Sequence, residues 1–264
     1  MSHGDAHDDD SSALPAPMDT RLIWAALFVS VALFAKVPNI DLWFSQKFYV
    51  AGQGFVRSGE PMVQALYTFT PIVGHSLLGI CLAVLLLGPV LARLARRQGH
   101  EAMAQRLTGL WRRTALSALL VAVLSSGFVV ELGLKNVMGR PRPVQTVEFG
   151  GTEPFHPAFH LGGHPDKHRS FVSGHAAAGF ALISLGLAAG PTWRRRWFLI
   201  GLVAGATVGM GRIMQGGHYL SDVIFSFFVV WLSCELVSWG LRRHDLKQLP
   251  PGHPARRTPR RALR

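Results

Sequence analysis

The chain reads FLIGLVAGATVGMGRIMQGGHYLSDVIFSFFVVWLSCELVSWG at residues 198–240, where two apolar runs flank a short polar segment. A helix needs about 20 mainly apolar residues to cross the hydrocarbon core of a bilayer, and Tyr219–Gly240 offers such a run. The polar segment carries Arg212, His218 and Asp222, where the chain would leave and re-enter the bilayer. We interpret the runs as spanning helices that place these three groups at the membrane boundary, where charged side chains often have a function.

The composition of the whole chain is typical of a membrane protein. Of 264 residues, 49% are hydrophobic and 16% are charged, whereas a soluble domain usually carries nearer a quarter of charged residues. The net charge of +12 comes from basic residues in short segments between apolar runs and at the C-terminus. This placement follows the positive-inside rule and argues against nucleic-acid binding. Cys81 and Cys234 lie inside apolar runs and are predicted to be packing residues.

Six apolar runs predict an all-α fold, a bundle of six membrane-spanning helices. The runs are Leu22–Val37, Leu66–Leu91, Leu116–Leu134, Ala176–Ala189, Phe198–Met210 and Tyr219–Gly240. Arginine-rich segments follow the second and fourth runs, so these loops and both termini are predicted to be cytoplasmic. The loops after the first, third and fifth runs then face outward.

The chain is predicted to consist of two tails and one membrane domain. Residues 1–20 are polar and acidic, which is typical of a disordered tail rather than of a metal site. Residues 21–240 form the membrane domain, and 241–264 form a basic, disordered tail held near anionic headgroups. The segment NIDLWFSQKFY at 39–49 places its large apolar residues on one helical face, which predicts a short amphipathic helix on the membrane surface.

Two histidines and a carboxylate are the candidate catalytic groups. His218 and Asp222 are four residues apart and share one face of a helix. A carboxylate at one imidazole nitrogen fixes the tautomer and leaves the other nitrogen free to attack. The alternative is that Asp222 or Ser221 merely caps the last helix. His175 lies in the first turn of the fourth span, where it either donates a proton to a leaving oxygen or has no function.

Cations and backbone amides accompany these groups at the outward side. Lys135, Arg142 and Arg212 lie where the positive-inside rule disfavours them, and arginine forks match phosphate oxygens. The alternative is that these side chains extend to the interface only for topology. Ser173 and Gly174 precede a helix, whose N-terminal amides form an anion site. Together these residues predict phosphoryl transfer, which needs positioning and charge stabilisation.

Further polar residues lie close to this cluster in sequence. Glu131 is one helical turn before Lys135 and is expected to pair with it. Arg140 lies at the same outward side and is either a further cation of the cluster or a residue that simply faces lipid headgroups. His75, inside the second run, is either a core histidine or a residue at a lipid entrance. The loop HLGGHPDKHR at 160–169 is either a reader of the lipid headgroup or an exposed connector.

These residues resemble the three-part signature of the type-2 phosphatidic acid phosphatase superfamily, which also includes the vanadium haloperoxidases. The family pattern is K-x6-RP, then PSGH, then SR-x5-H-x3-D. Its counterparts here are KNVMGRPRP at 135–143, VSGH at 172–175 and GRIMQGGHYLSD at 211–222. Val172 replaces the usual proline, and Gly211 replaces the usual serine, whose hydroxyl could help to hold phosphate.

The resemblance, which covers about residues 22–240, implies a mechanism without a metal or another cofactor. His218 would attack phosphorus and form a phosphohistidine, while Asp222 holds its tautomer. His175 would protonate the leaving lipid oxygen and then help water to release phosphate. Lys135, Arg142, Arg212, Ser173 and the Gly174 amide would hold the phosphoryl oxygens.

The resemblance also implies a multi-pass lipid phosphatase in the bacterial inner membrane, with its site facing the periplasm. The segments at 38–49 and 140–159 are similar to those of bacterial lipid A phosphatases. Phosphatidic acid, phosphatidylglycerol phosphate and undecaprenyl pyrophosphate are alternative substrates, and transfer of phosphate to another lipid is an alternative reaction. A transporter or lipid-binding protein, expected to carry charge deep in its spans, and a haloperoxidase, typically soluble, are the rival functions.

Overall fold

The computed structural model describes residues 20–161, 163–164, 166 and 168–250. The α-helices of this part of the chain are α1 (Arg21–Lys36), α2 (Asn39–Gln46), α3 (Pro61–Arg97), α4 (Glu101–Thr108), α5 (Leu110–Ala122), α6 (Lys135–Met138), α7 (Gly174–Phe180), α8 (Pro191–Met214) and α9 (Leu220–Gln248). A π-helical stretch, Val123–Leu134, joins α5 to α6, and α7 continues as the 3₁₀-helix Ala181–Gly186.

Short elements fill two of the connections. Strand β1 (Tyr49–Val50) pairs antiparallel with β2 (Gly54–Phe55) after α2. Single 3₁₀ turns form at Pro143–Gln145 and Val147–Phe149 in the long segment between α6 and α7. The predicted tail at 1–20 lies, apart from its last residue, outside the described residues.

Among the described residues, four helical stretches are long and apolar enough to cross a membrane: α3, the stretch Glu101–Gln145, α8 and α9. Helices α1 and α2 pass the same test only as one pair, which is bent by 89°. The fourth apolar run forms the shorter helix Gly174–Gly186. The predicted all-α architecture is confirmed, whereas the number of six spans stays a prediction.

Several helices extend beyond their apolar runs. Helix α3 has 37 residues and is therefore about 55 Å long, which exceeds the hydrocarbon thickness of about 30 Å. The basic segment after it, predicted as a loop, contains α4. The predicted C-terminal tail begins as helix, because α9 continues to Gln248, while residues 251–264 lie outside the described part. Hydropathy marks where a helix leaves the hydrocarbon and not where its hydrogen bonding stops.

An apolar core joins α5, α7, α8 and α9. Val121, Phe180, Ile213, Val223 and Val230 are among its buried members. Because α7 and α9 begin at the same end of this core, their first turns lie side by side. Both cysteines are free and buried, as predicted.

Glycines let α7 and α8 approach backbone to backbone. A Cβ atom built on Gly179 would lie 2.7 Å from the Cα of Gly205, and one built on Gly205 would lie 2.2 Å from the ring of Phe180. Small residues at helix interfaces in membranes permit this close packing. The contact brings the first turn of α7 against the C-terminal half of α8, which carries Arg212.

Replacement of Gly205 with alanine is therefore expected to destabilise the protein, by about 1–3 kcal/mol for overpacking. The measurement is the midpoint of thermal unfolding in detergent. Gly240→Ala is the matched control, because Gly240 has open space around its Cα and alanine favours helix over glycine. Equal midpoints for the two variants would mean that the glycine contact does not limit packing.

Helix α2 forms where predicted, but its polar side turns toward the protein. An interfacial helix usually turns that side to water. Here Asp41 and Ser45 are completely buried, whereas Trp43 is 62% exposed. The reason lies in Arg140, which provides a buried partner for Asp41.

Candidate active site

The N-terminal ends of α6, α7 and α9 and the C-terminal end of α8 surround one end of a cavity of about 820 Å³. Predicted site residues that line it are Lys135, Arg142, Gly174, His175, Arg212 and His218. Ser173 and Asp222 support this wall from behind, and the Ser173 amide donates to the Asp222 carbonyl at 3.2 Å. The structure thus brings together three motifs that lie far apart in sequence.

His218 lies in the loop between α8 and α9, next to Asp222. Its Nδ1 is 3.4 Å from Oδ2 of Asp222, which is slightly longer than an ordinary hydrogen bond. The same oxygen accepts hydrogen bonds from the Ser170 hydroxyl at 2.6 Å and from the Tyr219 amide at 2.9 Å. Asp222 therefore caps α9, the alternative considered from the sequence, and faces the imidazole as well.

The protonation of His218 is governed by burial. Burial lowers the pKa of His218 because the charged imidazolium loses its hydration; Asp222 acts in the opposite direction, and Arg212 and Arg142 lower the pKa further. The imidazole is therefore neutral at neutral pH. With Nδ1 beside the carboxylate, Nε2 is the ring nitrogen left to act as a nucleophile.

Tyr67 of α3 organises two residues of the cavity wall. The His175 ring stacks on it, with ring centroids 5.0 Å apart and an interplanar angle of 17°. The guanidinium of Arg212 lies 4.6 Å from the centroid of the Tyr67 ring. A single tyrosine in an apolar run gave no signal from which the sequence could predict this contact.

Arg212, near the end of α8, is 7% exposed. It donates to Gln215, while its Nε has no hydrogen-bond partner among the described residues. A Cβ at Gly217 would lie 2.4 Å from its Nη2, so the loop packs directly on the guanidinium and a larger residue would displace the end of that side chain. A buried donor left unpaired is costly. Arg212 also lines the cavity, where its positive charge attracts an anion.

Lys135 lies close to the first turn of α7. It pairs with Glu131, as predicted, and Glu131 also accepts from Arg169 at 3.0 Å. A Cβ built on Gly174 would lie 3.6 Å from Nζ of Lys135, so the ammonium reaches the N-terminal end of α7. Ser173 caps that helix, because its Oγ accepts from the Ala176 amide at 3.4 Å.

Arg140 does not face lipid headgroups, so that alternative was wrong. The side chain is 2% exposed. Its Nη1 donates to Asp222 Oδ1 at 2.6 Å, and its Nη2 donates to Asp41 Oδ2 at 2.7 Å. Two buried carboxylates hold the guanidinium inside, because a buried charge is tolerated only when it is paired.

The departures from the family signature are accommodated by packing. Val172 is completely buried beside α7. At Gly211, a Cβ would lie 3.2 Å from Cδ1 of Leu66, so a serine would require that side chain to shift by a few tenths of an ångström. Glycine at 211 therefore suits the close approach of α3 to α8.

The remaining predicted residues have mixed outcomes. His75 is exposed and lines the cavity, so it is not a buried core histidine. In the loop at 160–169, His168 is buried with its Nε2 3.4 Å from Glu153; the part of the loop at 162, 165 and 167 lies outside the described residues. Nowhere in the described chain do three or more His, Cys, Asp or Glu side chains form a group that could hold a metal.

Comparisons with known proteins identify the family of the chain. Residues 115–245 match the model of the PAP2 superfamily. The lipid A 4'-phosphatase of Francisella tularensis subsp. novicida (strain U112) is 30% identical over 215 residues, which cover 80% of this chain and 90% of the relative. The lipid A 4'-phosphatase of Rhizobium leguminosarum is 30% identical over 222 residues, which cover 81% and 90%.

A third relative extends the same similarity. The lipid A 4'-phosphatase of Rhizobium etli is 31% identical over 231 residues, which cover 81% of this chain and 80% of the relative. No solved structure matches the chain significantly. The matched range 115–245 contains all the residues predicted for the site, and the chain belongs to the PAP2 superfamily.

Proposed function

We propose that the chain is a membrane-embedded phosphatase that hydrolyses the phosphate ester of a lipid A-type substrate. The observation that carries this proposal is the cavity wall: cations and two histidines form one end, and mainly apolar side chains form the rest. Apolar lining residues include Leu66, Phe69, Leu77, Leu78, Leu119, Leu182 and Val208. Such a cavity suits a phosphate attached to a hydrophobic body, and the names of the relatives support lipid A as the source.

In the first step, Nε2 of His218 attacks phosphorus and a P–N bond forms. The P–O bond to the leaving lipid oxygen breaks, and His175 donates a proton to that oxygen. The phosphate charge beside His175 favours the protonated imidazole that this donation requires. Asp222 stabilises the positive charge that develops on His218.

In the second step, water is the nucleophile. The neutral His175 removes a proton from water while the oxygen attacks phosphorus. The P–N bond then breaks, and its electron pair returns to Nε2 of His218. Inorganic phosphate leaves, His175 has regained its proton, and no metal or cofactor takes part.

The cations hold the transferred group in both steps. Lys135, Arg142 and Arg212 would bind the equatorial phosphoryl oxygens, whose charge is spread in the transition state. The N-terminal amides of α7 after Ser173 add a preorganised donor set that needs no reorganisation during the reaction. The position of all three cations in the wall of one cavity supports this role.

For the membrane topology, we propose six passes, completed by the bent pair α1–α2 and by the Gly174–Gly186 segment. The site would face the periplasm from the inner membrane. Arg96 and Arg97 at the end of α3 and Arg195 and Arg196 near the start of α8 support a cytoplasmic opposite end.

Purified protein in detergent is expected to release inorganic phosphate from lipid A that carries a 4'-phosphate, with EDTA present. Phosphatidic acid, phosphatidylglycerol phosphate and undecaprenyl pyrophosphate are assayed in parallel. Mass spectrometry of the lipid identifies the position that loses phosphate. Folded protein that releases no phosphate from any of these lipids would refute the proposed function. Phosphate found on an added acceptor lipid, instead of in solution, would identify a phosphotransferase.

A further inference from the structure

A fully buried ionic network lies behind His218. It contains Asp41 of α2, Arg140 of the segment after α6, and Ser221 and Asp222 of α9, all of them at most 2% exposed. Arg140 donates from Nη1 to Asp222 Oδ1 and from Nη2 to Asp41 Oδ2. Since these side chains are buried, they can act on a substrate only through the residues that line the cavity.

Every link of the network is short. Arg140 Nη1 lies 2.8 Å from Ser221 Oγ, and Arg140 Nε donates to the His156 carbonyl at 2.8 Å. Asp41 Oδ1 accepts from the Ser221 amide at 2.8 Å, and its Oδ2 lies 2.5 Å from the Ser221 hydroxyl. The Tyr219 ring lies 4.2 Å from the guanidinium carbon of Arg140. The guanidinium is thereby fixed in position and orientation.

The two carboxylate oxygens of Asp222 have different partners. Oδ1 is occupied by Arg140, while Oδ2 lies 3.4 Å from Nδ1 of His218. A carboxylate turned or shifted away from this orientation would no longer direct an oxygen at Nδ1 of His218. Arg140 prevents that movement only while Arg140 itself is held, and Asp41 is its second anchor.

Charge leads to the same conclusion. Arg140 by itself would neutralise Asp222 and weaken its attraction for a positive imidazole. Both oxygens of Asp41 accept hydrogen bonds from nitrogen donors, the pattern of an ionised carboxylate. One guanidinium between two carboxylates leaves a net negative charge, which favours the positive charge that develops on His218 during attack.

We propose that Asp41 and Arg140 are positioning residues for phosphoryl transfer, which hold Asp222 with one oxygen directed at the nucleophilic His218. The inference rests on the proposed function and adds α2 to its machinery. The sequence alone did not indicate this role, because Asp41 and Asp222 are separated by most of the chain.

The most direct test is the Asp41→Asn variant, which keeps the shape of the side chain and removes its charge. A loss of roughly 10- to 100-fold in kcat is expected, as for a small misplacement of a reacting group. The inhibition constant of inorganic phosphate should stay the same, because the cations of the cavity are untouched. Ser45→Ala is the matched control: Ser45 is buried on the same helix and its Oγ has no hydrogen-bond partner among the described residues.

The pH profile distinguishes positioning from a loss of folded protein. Groups that face His218 are Asp222 of α9, Arg212 of α8, Arg142 of the loop and His175 of α7. Loss of the negative charge behind Asp222 lowers the pKa of His218 further. The acid limb of kcat/KM requires neutral His218, so in Asp41→Asn it should move to lower pH. A merely structural change would reduce the amount of active enzyme and leave the limb in place.

Ser221→Ala provides a milder second variant, because it removes the hydroxyl between Asp41 and Arg140 and keeps both charges. A smaller loss of kcat with the same phosphate inhibition supports the proposal, even where Asp41→Asn yields no folded protein. Two results with an active wild type would overturn the proposal. In one, the folded variants have the same kcat as the wild type. In the other, they lose activity only when the inhibition constant of phosphate also rises, so that the defect lies in phosphate binding. An inactive wild type would instead refute the proposed function.

Discussion

Replacement of His218 with glutamine is expected to reduce phosphate release from lipid A by a factor on the order of 10⁶, the size of effect seen when a catalytic nucleophile is removed. Glutamine has a similar length and can still hydrogen-bond to Asp222, but it provides no nitrogen lone pair for attack on phosphorus. The measurement is the initial rate of phosphate release by protein whose unfolding midpoint matches that of the wild type.

The control for this variant is His160→Gln. His160 is an exposed histidine in the segment between α6 and α7, where its ring packs against His156. It should keep nearly full activity. A His218→Gln protein that still releases phosphate within tenfold of the wild-type rate would remove His218 from the mechanism.

Replacement of His175 with alanine is the second large effect, with an expected loss of about 10²–10⁴-fold for the removal of a general acid. The loss should depend on the leaving group. p-Nitrophenyl phosphate has a leaving group that departs without a proton, so its first step should be much less impaired than that of lipid A. Burst kinetics with both substrates, at enzyme concentrations that resolve the first turnover, measure this difference.

Tyr67→Phe is the matched control for His175→Ala, because phenylalanine preserves the stacked ring and removes only the hydroxyl. Its activity should remain close to that of the wild type. An equal loss for lipid A and p-nitrophenyl phosphate in His175→Ala would show that His175 binds phosphate or supports the cavity and is not the acid of the first step.

The sequence predicted how the cavity wall would assemble because local geometry was sufficient. The spacing of His218 and Asp222 predicted that the two side chains lie side by side, and they do, although His218 lies in the loop before α9 and not on the helix itself. The same spacing predicted the pairing of Glu131 with Lys135. The positive-inside rule predicted that the three motif-bearing segments lie on one side of the membrane. The glycine-mediated packing of α7 on α8 then determines how closely these segments meet.

The supporting residues could not be predicted in this way. Arg140 and Asp41 contact each other although they lie 99 positions apart in sequence, and no periodicity predicts such a contact. From the sequence, an aspartate on a short amphipathic helix is expected to face water, although Asp41 is buried against an arginine. Tyr67 stacks on His175 from another helix, and helix ends such as Gln248 lie beyond the apolar runs that hydropathy detects.

The central claim is that the outer ends of the helices hold a phosphate ester beside a reactive imidazole. The most direct test is rapid quenching of the enzyme during turnover of ³²P-labelled lipid A, followed by identification of the labelled peptide. We predict an alkali-stable, acid-labile phosphoryl group on the nitrogen of His218. Label on a different residue, or no labelled enzyme in the first turnover of an active preparation, would contradict the claim.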